Sequence, residues 1–200
     1  MKYLFIDSAT TNLVVAIINE GKIAYIYDNN DGHDTSSKMM PVLAEAFENT
    51  GLKPQDIDKI FVVTGPGSFT GIRVGLTVAK TMAYALNIPI VPISSLEVMA
   101  SCSGGTALIN ARRGYVFAGT YDEKLNVIYP DSYVLMSDKL DKPYISYDEF
   151  EFTVEKPKID VLKVIKKHEN DYPVNPHTLK PNYLKMTEAE ENFNKHDRES

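Results

Sequence analysis

Tyr3-Leu-Phe-Ile-Asp-Ser-Ala-Thr-Thr-Asn-Leu-Val-Val-Ala-Ile-Ile-Asn-Glu-Gly-Lys-Ile-Ala-Tyr-Ile-Tyr-Asp28 holds three runs of β-branched and aromatic residues, at 3–7, 13–19 and 22–28. Each run has the length and composition of a strand. Glu20-Gly21 separates the last two by only a pair of residues, the spacing of a tight hairpin. Three successive strands therefore open the chain. A helix follows in the pattern: Met39, Leu43, Ala46 and Phe47 fall on one helical face over 39–50, and Gly51 stands where a C-terminal cap would. Pro41 implies a late start or a kink. Ile60 to Thr64 reads as a buried strand, Gly65 to Gly71 as a loop, Thr70 to Leu86 as a long helix and Ile88 to Ile93 as a further strand.

The same opening recurs about a hundred residues on. Thr106 to Asn110, Tyr115 to Tyr121 and Leu125 to Tyr129 are strand-like, joined by a loop at 111–114 and a turn at 122–124. Later signals are sparser: a strand over 143–152, a short helix over 159–168, a proline-rich stretch over 172–181, and a mixed-charge surface helix fraying over 187–200. The expected fold class is α/β, two β-β-β-α-β-α halves of the duplicated kind shared by actin, sugar kinases and heat-shock ATPases (RNase H-like), with the second half abbreviated. The boundary falls near Ser103 to Gly105, giving subdomains 1–103 and 104–200.

The chain has 200 residues, 44% of them hydrophobic and 24% charged. A chain of this size buries enough surface to form a core without disulfides. The single Cys102 can close no intramolecular bridge, so a reducing cytoplasm is the expected location. The apolar stretch from Tyr3 to Ile6 is shorter than a signal-peptide core. The longest charge-free run, the 16 residues Thr81 to Leu96, carries two prolines and is too short to span a bilayer. With 21 basic against 27 acidic residues, net charge −6, the chain is a poor independent ligand for a phosphate backbone. Any contact with nucleic acid is expected to be indirect.

In the duplicated fold the first hairpin loop embraces a phosphate, usually with an Asp-x-Gly pattern followed by hydroxyl residues. This chain has Asp7-Ser-Ala-Thr-Thr11, and the Ala9 methyl hinders close backbone approach. Asp7, Thr10 and Thr11 are the candidate cofactor contacts, yet Asp7 and Asn110 read better as structural residues at strand ends. No cofactor is expected. Gly65-Pro-Gly-Ser-Phe-Thr-Gly71 follows a strand and opens a helix, but it misses the dinucleotide fingerprint at Thr70 and the P-loop lysine at Ile72. It reads as a tight turn. The four histidines, His33, His168, His177 and His196, show no metal-ligand spacing, and no metal site is expected. Neither Cys102 nor Ser68 sits in a nucleophile pattern.

At about 100° per residue, the apolar and small residues of the 70–87 helix occupy an unbroken arc of roughly 200°, about twice what one sheet covers. Gly71, Gly75, Ala79 and Ala83 recur every fourth residue and would admit a close neighbour. Either the 39–50 helix of the same chain covers the surplus, or that helix together with a second subunit does.

Taken together, Phe5-Ile-Asp-Ser-Ala-Thr-Thr11, Gly65-Pro-Gly-Ser-Phe-Thr-Gly-Ile-Arg73, Ala79-Lys80, Ser94-Ser-Leu-Glu97, Asn110-Ala-Arg-Arg113 and Pro181-Asn-Tyr-Leu-Lys185 resemble the bacterial TsaB family, also called YeaZ. The resemblance spans the chain and is strongest before Arg113. It implies a non-catalytic subunit that dimerises with its paralogue TsaD and works with the small ATPase TsaE. Their product is threonylcarbamoyladenosine, beside the anticodon of tRNAs reading codons that begin with A. Where the catalytic paralogue holds a metal, this chain has Ser95 and Met99. Asn110 departs from the family's usual aspartate. Family members pair through first-half helices, as homodimers or with TsaD, which makes Met39, Leu43, Phe47, Gly71, Ile72, Gly75, Leu76, Ala79, Met82 and Ala83 the expected partner interface. The competing reading is an enzyme acting alone, a kinase-like ATPase or a metal-dependent glycoprotease of the same fold.

Overall fold

Strands β1 (Lys2–Asp7), β2 (Leu13–Asn19) and β3 (Lys22–Asn29) form an antiparallel meander at the start of the computed structural model, which describes residues 1–29, 35–136 and 140–185. Glu20 and Gly21 take positive φ values of 52° and 75°, the geometry of a two-residue hairpin turn whose twist matches its strands. Helix α1 (Thr35–Thr50), strand β4 (Lys59–Gly65), helix α2 (Phe69–Leu86), strand β5 (Ile90–Ser94) and the short helix α3 (Ser95–Met99) complete the first half. β4 pairs parallel to β1 and β5 parallel to β4, giving the order β3-β2-β1-β4-β5.

The second half repeats the order as far as its fourth strand. β6 (Gly105–Asn110), β7 (Tyr115–Tyr121), β8 (Val127–Leu135) and β9 (Tyr144–Ile145) form the sheet β8-β7-β6-β9, with β9 parallel to β6. Among the described residues the helix of this half is α4 (Val161–His168).

Alternation along β1 divides the core. Leu4 and Ile6 point to the face covered by α1 and α2, while Tyr3 and Phe5 point to the opposite face, which packs on α3, α4 and the second sheet. Tyr3 and Phe61 meet there edge to face, with centroids 5.4 Å apart.

Several boundaries differ from the sequence reading. α1 begins at Thr35 rather than Met39, with Pro41 inside it on the exposed side; burial of Met39, Val42, Leu43 and Ala46 holds the helix on the sheet. The strand expected over 143–152 is only β9, because Phe150 and Phe152 turn back to pack against one another and onto Tyr144. The strand expected from Leu125 starts at Val127, since Leu125 takes φ 64° in the turn. The five-residue helix α3 has no signal in the sequence pattern, and Ser94 caps it by accepting a hydrogen bond from the Leu96 amide. Residues 172–185 leave the second half and return to the first sheet, where the Val174 amide donates to the Ile90 carbonyl and the Asn182 amide to the Thr64 carbonyl. The surface helix expected over 187–200, and His33 and His196, lie outside the described residues. No helix among the described residues is long and apolar enough to cross a membrane.

Candidate functional site: a cleft between the halves and a groove on the first-half helices

A cleft of about 580 Å³ opens where the two halves meet. One wall is built from hydroxyl residues at the β1–β2 turn and the amino ends of α1 and α2: Thr10, Thr11, Thr35, Ser36, Ser68 and Thr70. The opposite wall carries Asn110, Arg112, Tyr147 and Asp148, above an apolar floor of Met99, Leu108 and Phe117. Thr10 and Thr11, the candidate cofactor contacts, line this wall. Asp7 lies beneath the wall, 2% exposed, and does not line the cleft.

The first loop is closed upon itself. The Ala9 amide donates to Asp7 Oδ1 at 2.9 Å, and the Ala9 carbonyl accepts from the Ser68 amide at 2.6 Å. Ala9 is fully buried under Gly67 and Ser68, so its backbone polar groups are engaged within the protein. Gly67 must be glycine, because a Cβ there would run into the Ala9 carbonyl oxygen. Ser68 caps α2 by accepting from the Gly71 amide at 3.2 Å. The 65–71 segment is thus a turn and a cap, sealed over the first loop.

Burial pushes the Asp7 carboxyl up to about 7; the Ala9 amide pulls the other way, and the Asp28 carboxylate adds to the rise. Beside it, Asn12 is 1% exposed, and its Nδ2 donates to Asp28 Oδ1 and to the Tyr147 hydroxyl, both at 2.8 Å. Asn12 and Tyr147 tie the two halves across the cleft floor. The sequence offered no sign of this pair, which is separated by 135 positions. Burial, followed by the charges of Asp7 and Asp28, raises the Tyr147 hydroxyl pKa.

The second-half loop after β6 is held by Asn110 on both sides. Asn110 Oδ1 accepts from the Arg112 amide at 2.8 Å, and the Asn110 amide donates to Asp148 Oδ2 at 2.7 Å. Arg112 and Arg113 both hold positive φ, 66° and 54°.

Ser95 and Met99 lie buried on α3, where Ser95 Oγ donates to the Pro66 carbonyl and Met99 reaches the cleft floor. Glu97 between them is 6% exposed and pairs with His168 at 2.9 Å and Lys167 at 3.1 Å, which docks α4 on α3. A half-buried acid, Asp131 on β8, accepts from Ser94 Oγ and the Tyr121 hydroxyl, another bond between the halves. Among the described residues no three His, Cys, Asp or Glu side chains gather as a metal site would require.

The expected partner interface divides. Met39, Gly71, Ile72, Gly75, Leu76, Ala79 and Ala83 are buried in the chain's own core, and this corrects their assignment to a contact surface. The reason is proximity: α2 lies directly on β1 and β4, and a Cβ on Gly75 would strike Ser8 Oγ, as one on Gly71 would strike the Ser8 carbonyl. Ser8 Oγ in turn donates to the Gly71 carbonyl at 2.8 Å. The glycines of the small-residue ridge thus lie against Ser8, just past β1, and Ile6 within it. Phe47 and Met82 instead border an apolar groove of about 470 Å³ between α1 and α2, which Leu43, itself buried in the core, also lines together with Met40, Ala44, Pro54, Thr77, Val78 and Thr81. Met40 is 57% exposed there. Val78, half-buried, was in the predicted arc but not among the interface candidates.

A protein-family model described as TsaD, tRNA N6-adenosine threonylcarbamoyltransferase, matches residues 32–190. The Bacillus subtilis tRNA threonylcarbamoyladenosine biosynthesis protein TsaB is 36% identical over 149 residues, covering 70% of this chain and 65% of that protein. Escherichia coli TsaB is 31% identical over 136 residues, covering 64% of this chain and 58% of that one. The matched part thus spans between about half and two thirds of the curated TsaB relatives. The solved structure of YeaZ from Pseudomonas aeruginosa shares the fold, with a TM-score of 0.76 at 20% identity, covering 92% of this chain and 99% of that one. A further P. aeruginosa structure, of a protein with similarity to peptidase YeaZ, superposes with a TM-score of 0.78 at 18% identity. On the family match and these relatives, the chain belongs to the TsaB/YeaZ family.

Proposed function

We propose that this chain is a non-catalytic subunit in the formation of threonylcarbamoyladenosine in tRNA, docking on a TsaD-type paralogue and working beside a TsaE-type ATPase in the cytoplasm. Its curated relatives are named for that biosynthesis. The observation that carries the non-catalytic reading is the sealed first loop. Ala9 sits where a phosphate would need open backbone, with its amide held by Asp7 and its carbonyl by Ser68. The partner would lie on the α1–α2 groove, whose apolar lining a monomer leaves in water. The same groove serves a second copy of the chain when the paralogue is lacking. Binding of tRNA would pass through the complex, in keeping with the net charge of −6.

The runner-up is an enzyme acting alone, and the hydroxyl-lined cleft is the feature that favours it. One assay separates the two. The TsaD-type paralogue from the same genome is incubated with tRNA, ATP, the threonylcarbamoyl donor and a TsaE-type ATPase, with and without this chain. Modified adenosine should form with the chain and fall to background without it, while the chain alone should neither hydrolyse ATP nor cleave glycoprotein. Turnover by the chain alone would overturn the reading.

A further inference from the structure

Helix α2 presents three sectors. At about 100° per residue, one sector faces the sheet through Gly75, Ala79 and Ala83, and a second lines the groove through Thr77, Val78, Thr81 and Met82. The third, carrying Phe69, Arg73, Lys80 and Tyr84, meets the returning segment 172–185 along the whole length of the helix. At the amino end, Tyr183 stacks on Phe69 with centroids 5.3 Å apart, and Arg73 Nε donates to the Tyr183 hydroxyl at 2.9 Å while its guanidinium lies 3.7 Å over the Phe69 ring. In the middle, Lys80 Nζ donates to the Leu179 carbonyl at 2.7 Å. Near the carboxyl end, Tyr84 packs edge-on to His177 at 4.5 Å.

Beyond α2 the segment makes few other contacts among the described residues, one of them Lys185 Nζ lying 5.4 Å over the Tyr133 ring of β8. Leu179 is its side chain packed against the α1–α2 core, and Tyr172 is 94% exposed. Two backbone bonds anchor it to the sheet, at Ile90 and Thr64. Its grip on α2 is therefore a row of side-chain contacts directly alongside the sector that forms the groove.

We propose that segment 172–185 is a strap that positions the groove face of α2, with Tyr183 and Lys80 as positioning residues that tune partner affinity without touching the partner. The proposal rests on docking at the α1–α2 groove. Pressed on one side by the sheet and on another by the strap, α2 has one setting. Loss of the strap removes one constraint and lets the helix settle differently on its small-residue ridge, which changes the shape of the groove.

Affinity for the TsaD-type paralogue from the same genome tests this, measured by titration calorimetry on the full chain well below each variant's melting temperature. Val78→Asp, in the groove, should abolish binding. Tyr183→Ala and Lys80→Met should each weaken it by roughly 3- to 30-fold, the usual range for residues acting through packed neighbours. The double variant should bind about as weakly as the weaker single one, because both release the same strap. Tyr183→Phe, which keeps the ring on Phe69, should restore affinity close to wild type. Should Tyr183→Ala fail to fold, Arg73→Gln takes its place in the cycle. Wild-type affinity in the strap variants would overturn the proposal, and so would additive losses, which belong to two separate direct contacts. Undiminished binding by Val78→Asp would instead refute docking at the groove, and this proposal with it.

Discussion

The amide of Ser68 donates a 2.6 Å hydrogen bond to the carbonyl of Ala9, closing the turn before α2 onto the turn after β1. That bond brings Gly67 so near Ala9 that the position has room for no side chain, and its φ of 151° disfavours any residue but glycine. Gly67→Ala should therefore cost about 2–5 kcal/mol, combining strain and overpacking. Urea unfolding measures it, and a variant as stable as wild type would mean the two turns are not in contact.

Asp7 gives stability a pH dependence of known sign. Its folded pKa, about 7, exceeds the ordinary 3.8, so its contribution is greatest below 3.8 and is lost as pH rises through 7. The full span corresponds to roughly 4 kcal/mol. Asp7→Asn keeps an acceptor for the Ala9 amide and carries no charge. Its stability should match wild type near pH 4 and exceed it at pH 8; an equal difference at both values would show that Asp7 does not titrate in this range.

His168 acts in another window. Burial opposes its charged form, but hydrogen bonds to Glu97 and Asp171, at 2.9 and 2.6 Å, outweigh that and raise its pKa above 6.5. The stabilisation is complete below 6.5 and is lost as pH rises through the raised folded value. His168→Gln should lose about 2 kcal/mol at pH 6 and clearly less at pH 9, where Lys167 alone still pairs with Glu97. Thermal melts at the two pH values decide it, and a loss independent of pH would contradict the pairing.

Gly75→Leu asks whether the small-residue ridge belongs to the core. Ser8 and Ile6 lie against it, so the larger side chain should destabilise the fold by roughly 1–3 kcal/mol. Melting temperature should fall, and partner binding should weaken only as the protein unfolds. A variant with unchanged melting temperature that fails to bind would return the ridge to the interface.

Local pattern sufficed for the opening meander, the Glu20-Gly21 hairpin, the long helix and the repeat of the three-strand motif, because periodicity and turn chemistry act over a few residues. It also marked Ala9 as a departure from a phosphate-binding loop. Whether Ala9 was merely substituted or sealed depended on Ser68, 59 positions away, and no short-range signal carries that distance. The apolar arc of α2 shows the same division. Its breadth could be read from spacing, since the angle between side chains follows from the helix itself. Which part of the arc meets strands, which lines a groove and which flank a returning segment holds could not. Those outcomes follow from how closely neighbours approach, and Gly71 and Gly75 let Ile6 of β1 and Ser8 just past it come where a second helix was expected. Asn12 with Tyr147, Ser94 with Asp131, and Arg73 with Tyr183 are pairs of ordinary polar residues distant in sequence. Only the folded chain brings each pair within hydrogen-bond reach, because an ordinary polar residue carries no local pattern that names its partner.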